Sequence, residues 1–202
     1  NKAPTNITLT STSISESAAS LIVGILGTTD TDQVAGVAFT YAIAEISGSD
    51  YASFSINQAT GALSFNSQPD YETQPSYSVT ILSTDDAGKT FSKSFTISIT
   101  DANDLPNGSV TISGTVEQYQ TLTANTSGIS DQDGLGTFSY QWTADDQDIS
   151  SANGSTYVLT QNEVGKVISV KVSYTDGGST VETVLSAATI AVVDVDDPPT
   201  NI

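Results

Sequence analysis

The sequence predicts an all-β chain of two sandwiches in tandem. Short runs alternate apolar with Ser or Thr residues, no stretch keeps a helical period, and acidic, proline-ended knots follow such runs at mid-chain and again near the end. Alternation with period two puts successive side chains on opposite faces of a strand, which suits a sheet buried on one side only. The knots are Asp101-Ala-Asn-Asp-Leu-Pro106 and Asp194-Val-Asp-Asp-Pro-Pro199. Proline cannot donate to a strand ladder, so each knot ends a sheet and reads as a seam between domains. The division expected is 1–105 and 106–202, about 100 residues each. Pro199-Thr-Asn-Ile202 repeats Pro4-Thr-Asn-Ile7, so the second domain is expected to close on the start of a further repeat, as in arrays of β-domains.

Within the first domain, strands are expected at Ile7-Thr-Leu-Thr10, Phe39-Thr-Tyr-Ala-Ile43, Tyr77-Ser-Val-Thr-Ile81 and Phe95-Thr-Ile-Ser-Ile-Thr100. Gly, Asn, Asp and Ser clusters separate them at intervals suited to a sandwich. The second domain offers Val110-Thr-Ile112, Phe138-Ser-Tyr-Gln-Trp142, Tyr157-Val-Leu159, Ile168-Ser-Val-Lys-Val-Ser-Tyr174 and Ile190-Ala-Val192. A lone Trp142 on an early central strand, with Tyr174 ending a later one, matches the core layout of an immunoglobulin-like sandwich that lacks its disulfide. Trp142 is therefore read as core. Asp145-Asp-Gln-Asp148 reads as a polar hairpin tip.

Charge narrows the function classes. The chain has 23 Asp plus Glu against 5 Lys plus Arg, a formal charge of −18, and no histidine. Phosphate backbones and anionic lipid surfaces repel such a molecule, so nucleic-acid and membrane-surface binding are poor readings, whereas divalent cations suit it. With no cysteine, disulfides, redox chemistry and thiolate metal sites are excluded. Ser/Thr-rich β-repeats with acidic seams instead fit an exported protein cross-linked by metal ions, and a bacterial exterior is expected. There is no signal peptide and no run of apolar residues long enough to span a bilayer, so targeting and anchoring are assigned to other parts of a longer parent. Four sequon matches begin at Asn6, Asn107, Asn125 and Asn153. They arise readily by chance in so Asn/Ser/Thr-rich a chain and receive no role.

The acidic residues form an ordered series: Glu16 in Ser-Glu-Ser, Asp30-Thr-Asp32, Phe54-Ser-Ile-Asn-Gln-Ala-Thr-Gly-Ala-Leu63, Asp70-Tyr-Glu72, Thr84-Asp85 and Asp101-Ala-Asn-Asp104. In order and spacing this resembles a cadherin repeat, over residues from about 4 to 106. The resemblance implies a Greek-key sandwich with a calcium-binding linker. It implies that Glu16, Asp70, Glu72 and Asp104 bind inner Ca²⁺ ions with Asp101 and the carbonyl of Ala102 nearby, and that Asn103 and the carbonyl of Leu105 hold another against the next domain. Ca²⁺ takes roughly six to eight oxygens at flexible distances, more than one loop here supplies, and about three ions are expected at the linker.

The second domain must then offer acids of its own. Asp131-Gln-Asp133 lies where an Asp-x-Asp pair belongs, and Tyr174-Thr-Asp176 resembles the Thr84-Asp85 position. The Phe-x-Ile…Thr-Gly-x-Leu and Asp-x-Glu elements are absent from it. From about 107 to 197 the chain is instead similar to the immunoglobulin-like repeats that alternate with cadherin-like ones in giant RTX adhesins of Gram-negative bacteria. At its far end Glu117 is expected as the analogue of Glu16 and Glu163 as a substitute for Asp-x-Glu, with Asp194, Asp196 and Asp197 completing a weaker site. Asp30, Asp32 and Asp85 are expected to face a preceding domain. Lys2 there holds the place of Asp104, so a weak or empty metal position is expected.

No enzyme is expected, because without His or Cys the usual bases and nucleophile partners are missing. The leading reading is mechanical: a calcium-rigidified pair of extender domains of an extracellular adhesin, working with neighbouring repeats of the same chain and monomeric by itself. The alternative is a module that binds cell-surface carbohydrate or a second copy of itself. For any single Asp, a solvated acidic surface is the plainer explanation.

Overall fold

The computed structural model describes residues 1–32 and 38–195. It divides into two compact units, Asn1–Ala102 and Asn103–Ile202. The division falls between Ala102 and Asn103 rather than at the Leu105/Pro106 boundary expected from the sequence. Among the described residues all regular structure is strand, apart from two single 3₁₀ turns at Tyr51–Ser53 and Gln161–Glu163. Among the described residues no helix is long and apolar enough to cross a membrane.

The described residues of unit 1 form eight strands: β1 (Asn6–Leu9), β2 (Ser13–Ser15), β3 (Ile22–Thr29), β4 (Thr40–Ile43), β5 (Phe54–Asn57), β6 (Ala62–Phe65), β7 (Ser76–Thr84) and β8 (Thr90–Thr100). They form two four-stranded sheets, ordered β1-β3-β6-β5 and β2-β8-β7-β4. The chain changes sheet between β1 and β2, and β2 then runs parallel to the end of β8. Gly24 allows this crossing, since a Cβ there would lie 2.8 Å from the Ser11 nitrogen. The alternation read in β7 and β8 turns Val79, Ile81, Phe95, Ile97 and Ile99 inward onto Ile7, Leu63 and Phe65. Each fully buried aliphatic contributes roughly 1.5–3 kcal/mol. The ring of Phe65 packs on that of Phe54, centroids 4.4 Å apart, and meets Tyr77 edge-on. Ser83, alone among the inward positions of β7 in being polar, is satisfied by Thr28 Oγ1 at 2.8 Å.

The described residues of unit 2 form seven strands: β9 (Thr111–Ser113), β10 (Thr121–Asn125), β11 (Ser139–Ala144), β12 (Gln147–Asp148), β13 (Thr156–Val158), β14 (Ile168–Thr175) and β15 (Val181–Leu185). Three of them pair as β13-β10-β9 and four as β12-β11-β14-β15. Trp142 on β11 is fully buried, and its indole N–H donates to the Gly154 carbonyl at 2.9 Å. Around it pack Leu122, Leu159, Ile168, Val170 and Val172. The acidic tip 145–148 comprises the two-residue β11–β12 turn, with Asp145 and Asp146 both at positive φ, and β12 itself. Ile190-Ala-Val192 is not a regular strand. Ala191, Val192 and Val193 make isolated bridges to Val167, Val164 and Glu117.

Candidate metal centres

The β7–β8 hairpin sets the two acidic ends of unit 1. Thr84 pairs with Thr90 at its turn and Ser76 with Ser98 at its open end, so Asp85 and Asp101 emerge at opposite ends. At the open end, carboxylate oxygens of Glu16, Glu72 and Asp101 all lie within 4.8 Å of one another. Glu16 is the organiser: one oxygen accepts from the Tyr71 N–H at 2.6 Å and the other from the Ala102 N–H at 2.7 Å. Its own N–H donates to the Thr100 carbonyl, and its carbonyl accepts from the Gln68 amide. Asp70 is turned into the Asp70–Gln74 turn, accepting from the N–H and hydroxyl of Thr73. Full charges this close repel by roughly 3–4 kcal/mol per pair at an effective dielectric of 20, so the three carboxylates are a natural seat for a cation.

At the other end, Asp85 folds over its hairpin turn, one oxygen accepting from the N–H groups of Ala87 and Lys89 at 2.9 and 2.7 Å. Its second oxygen is buried without a partner, as is one oxygen of Asp30. Asp32 accepts from the Lys2 N–H at 2.8 Å, and this hydrogen bond is the main reason its carboxyl lies below the ordinary value. The Lys89 ammonium binds the Asn1 carbonyl rather than a carboxylate.

Unit 2 repeats this arrangement on unrelated sequence. Asp176 begins the β14–β15 turn and accepts from the Thr180 N–H at 2.7 Å, while its second oxygen is buried without a partner. Asp133 accepts from the Asp104 N–H at 2.7 Å, and the Asp133 N–H donates to Asp131. Asp131 also accepts from the Tyr174 hydroxyl. A Cβ placed on Gly178 would lie 3.4 Å from an Asp176 oxygen and 3.7 Å from an Asp133 oxygen, so the two carboxylates converge there. Asn103 donates its amide to Glu182 at 2.9 Å and to the Asp104 carbonyl. Leu105 is exposed. The sequence reading missed Glu182, which belongs to no motif. The only signal was a lone acid inside the apolar run Val181-Glu-Thr-Val-Leu185.

At the far end of unit 2 the expectation needs correcting. The residue in the place of Glu16 is Gln118 rather than Glu117: its N–H donates to the Val193 carbonyl, and its side-chain oxygen accepts from Val195 two residues later. Fully buried, it also donates to the Gln161 side chain at 2.7 Å, so a neutral amide pair stands where unit 1 has carboxylates. Glu163 is buried as the capping-box partner of Thr160, whose N–H and hydroxyl it accepts at 2.9 and 2.7 Å. Asp194 is exposed, and Asp196 and Asp197 lie outside the described residues.

The donor sets at the two ends of unit 1 and the near end of unit 2 are oxygens only, carboxylates with backbone carbonyls beside them. That chemistry fits Ca²⁺, and the buried, unpartnered oxygens of Asp85 and Asp176 are the positions that most need a cation.

Residues 10–100 match the Cadherin domain model. No curated protein sequence matches the chain. Among solved structures, mouse cadherin-23 EC22-24 aligns with a TM-score of 0.54 at 22% identity, covering 96% of this chain and 65% of that one. Human protocadherin-24 EC1-2 aligns with a TM-score of 0.56 at 21% identity, covering 98% of this chain and all of that one. Protocadherin gammaB7 EC3-6 gives a TM-score of 0.54 at 15% identity, over 97% of this chain and 48% of that one. Cadherin domains are extracellular, calcium-binding adhesion modules rather than enzymes. Residues 10–100 are thus matched to the Cadherin domain, within a chain whose fold is all-β and cadherin-like.

Proposed function

We propose that this chain is a calcium-rigidified extender of a long, repetitive adhesin exposed on a bacterial cell surface, in which a cadherin-type repeat is followed by an immunoglobulin-like one. The observation that carries the reading is the convergence of Glu16, Glu72 and Asp101 within 4.8 Å. Glu16 there also binds the N–H of Ala102, the last residue before the linker continues at Asn103. Ions held by Glu16, Asp70, Glu72, Asp101, Asn103 and Asp104 would cancel the repulsion and fix the Asp101–Pro106 linker. Without them like charges push it open. Asp131, Asp133 and Asp176 supply the corresponding acids of the second repeat. The repeated Pro-Thr-Asn-Ile, the absence of cysteine and the charge of −18 support a calcium-linked array outside the cell.

Calcium would act here as a structural cross-link. Extracellular modules bind it at roughly 10⁻⁴–10⁻³ M, and at about 100 times the dissociation constant one site adds about 2.7 kcal/mol. The test is a calorimetric calcium titration of the chain and of Asp104→Ala, with small-angle scattering in calcium and in EDTA. Saturable binding that Asp104→Ala weakens, with a stiffer and longer particle in calcium, is expected. An absence of binding, or binding with an unchanged scattering envelope, rejects the extender role.

A further inference from the structure

Strand β15 leaves one edge of its sheet open. Its register with β14 runs from Lys171↔Leu185 to Thr175↔Val181. Just beyond one end of that ladder the Ser186 N–H donates to the Val170 carbonyl, and just beyond the other the Asp176 N–H donates to the Thr180 carbonyl. Antiparallel ladders alternate such hydrogen-bonded pairs with pairs whose main-chain groups point away from each other. Val172–Val184 and Tyr174–Glu182 are therefore bonded pairs, and the N–H and C=O groups of Val181, Thr183 and Leu185 point out from the edge. Among the described residues β14 is the only strand that pairs with β15. Other edges are guarded. On β4 the Gln58 amide accepts from the Tyr41 N–H at 3.3 Å and donates to the Tyr41 carbonyl at 2.6 Å. On β1 the Lys93 ammonium donates to the Ile7 carbonyl at 2.7 Å. β12, at the other edge of the β15 sheet, is very short and ends on Asp148.

Short length, charge and proline are the usual means of blunting an edge, because an open one templates pairing with another chain. β15 has none of them on its outer side. Between Gly177 and Ile190 the only charged residue is Glu182, which is 7% exposed and turned inward, while Val181 and Leu185 are 70% and 58% exposed. Thr183 lies between them on the same outer row, its hydroxyl 2.9 Å from that of Ser173. At a net charge of −18, acidic surfaces of this chain repel a second copy, and this strip does not. The row reads aliphatic, hydroxyl, aliphatic in either direction, so it complements itself about Thr183.

We propose that β15 is a self-association edge: two copies of the chain pair their β15 strands antiparallel about a two-fold axis at Thr183, joining their sheets into one. Thr183 then exchanges main-chain hydrogen bonds with Thr183 of the second copy, and Val181 packs on Leu185 of the second copy. Glu182 falls opposite Val184 of the second copy, which keeps the two glutamates from facing each other. The occupant is a second copy because its outer row supplies matching aliphatics and brings no charge. The interface is isologous, so it closes at a dimer instead of growing into a filament. It uses none of the acidic ends and stands apart from the extender reading. The monomer expected from the sequence gives way to a dimer as concentration rises.

The experiment is sedimentation equilibrium of the full chain at physiological salt over rising concentration, in EDTA and in calcium. A monomer–dimer equilibrium is expected in both. Val181→Lys and Leu185→Glu should each weaken it by about tenfold or more. An equimolar mixture of the two variants should regain it, because the pairing about Thr183 sets the introduced lysine against the introduced glutamate. Both positions are largely exposed, so each variant should melt close to the parent. Hydrogen exchange reads the contact without any substitution: the amides of Val181, Thr183 and Leu185 should gain protection as concentration rises, while that of Val184, held by β14, stays protected throughout. A mass that stays monomeric up to about 1 mM overturns the proposal, as does one that climbs beyond the dimer. A dimer that neither substitution weakens, or a mixture that does not recover, also overturns it. So does an association found only in calcium, which would belong to the acidic ends instead.

Discussion

The backbone N–H of Asp104 donates to Asp133 at 2.7 Å. In unit 1 the same contact joins Lys2 to Asp32 at 2.8 Å. The hairpin acids correspond too, since Asp85 and Asp176 each accept from the residue four positions on and each keep a buried oxygen without a partner. A lysine thus stands where unit 2 has a carboxylate. Lys2→Asp is expected to raise calcium affinity at the Asp30–Asp32–Asp85 end on the order of tenfold, because a charge reversal beside several acids exceeds about 1.4 kcal/mol at short range. Amide shifts of Ala87 and Lys89 during titration measure it. Parent-like titration in Lys2→Asp would show that the end charge does not limit this site.

Glu16 is structural as well as acidic. Its two oxygens bind the N–H groups of Tyr71 and Ala102. Glutamine keeps only one acceptor oxygen, so Glu16→Gln leaves one of those donors without its partner. Hydrogen bonds to charged groups contribute about 1.5–3 kcal/mol, and a loss of that order is expected even in EDTA. In calcium the loss should be larger. Urea unfolding under the two conditions measures the difference, and an identical loss in both would separate Glu16 from the metal.

The strands that could be read from the sequence are those with a clean alternation onto the core, such as β7, β8 and β14. Two of the missed ones, β3 and β15, break that pattern for physical reasons. β3 runs Ile22-Val-Gly-Ile-Leu-Gly, with a bulge against β6 between Ile22 and Gly24. β15 has its polarity inverted by Glu182. The acids of the Asp-x-Asp and hairpin positions were legible because their spacing is fixed by local turns. Gln118 was not, because spacing alone points to the neighbouring Glu117, and only the pairing with Val193 and Val195 identifies the residue in the place of Glu16.

Trp142 tests whether the two cores are energetically separate. It is fully buried within unit 2 and donates to the Gly154 carbonyl. Trp142→Ala leaves a large cavity and an unmet carbonyl, at about 3–5 kcal/mol, a large share of the 5–15 kcal/mol that holds a typical domain. The buried clusters of the two units share no residue. Scanning calorimetry should therefore show one transition moved well down and the other left in place. A single transition that moves as a whole would mean that the units unfold together.

Alkaline pH should destabilise unit 2. Burial, then the charge and hydrogen bond of Glu163, push the Tyr157 phenol up to about 12. Burial, then the hydrogen bond to Asp131 and the charges of Asp131, Glu182 and Asp176, push Tyr174 further up. Unfolded tyrosine titrates near 10. A group whose folded value lies above its unfolded value stabilises the fold fully below the unfolded value, and that contribution disappears as pH rises toward the folded one. Stability in EDTA should thus be flat in these groups up to about pH 10, then fall through about pH 12 as the unfolded chain ionises first. Denaturant unfolding at stepped pH, with phenolate absorbance recorded alongside, checks the window. Tyr157→Phe should reduce the slope between pH 10 and about 12, and a slope unchanged by it would remove Tyr157 from the linkage.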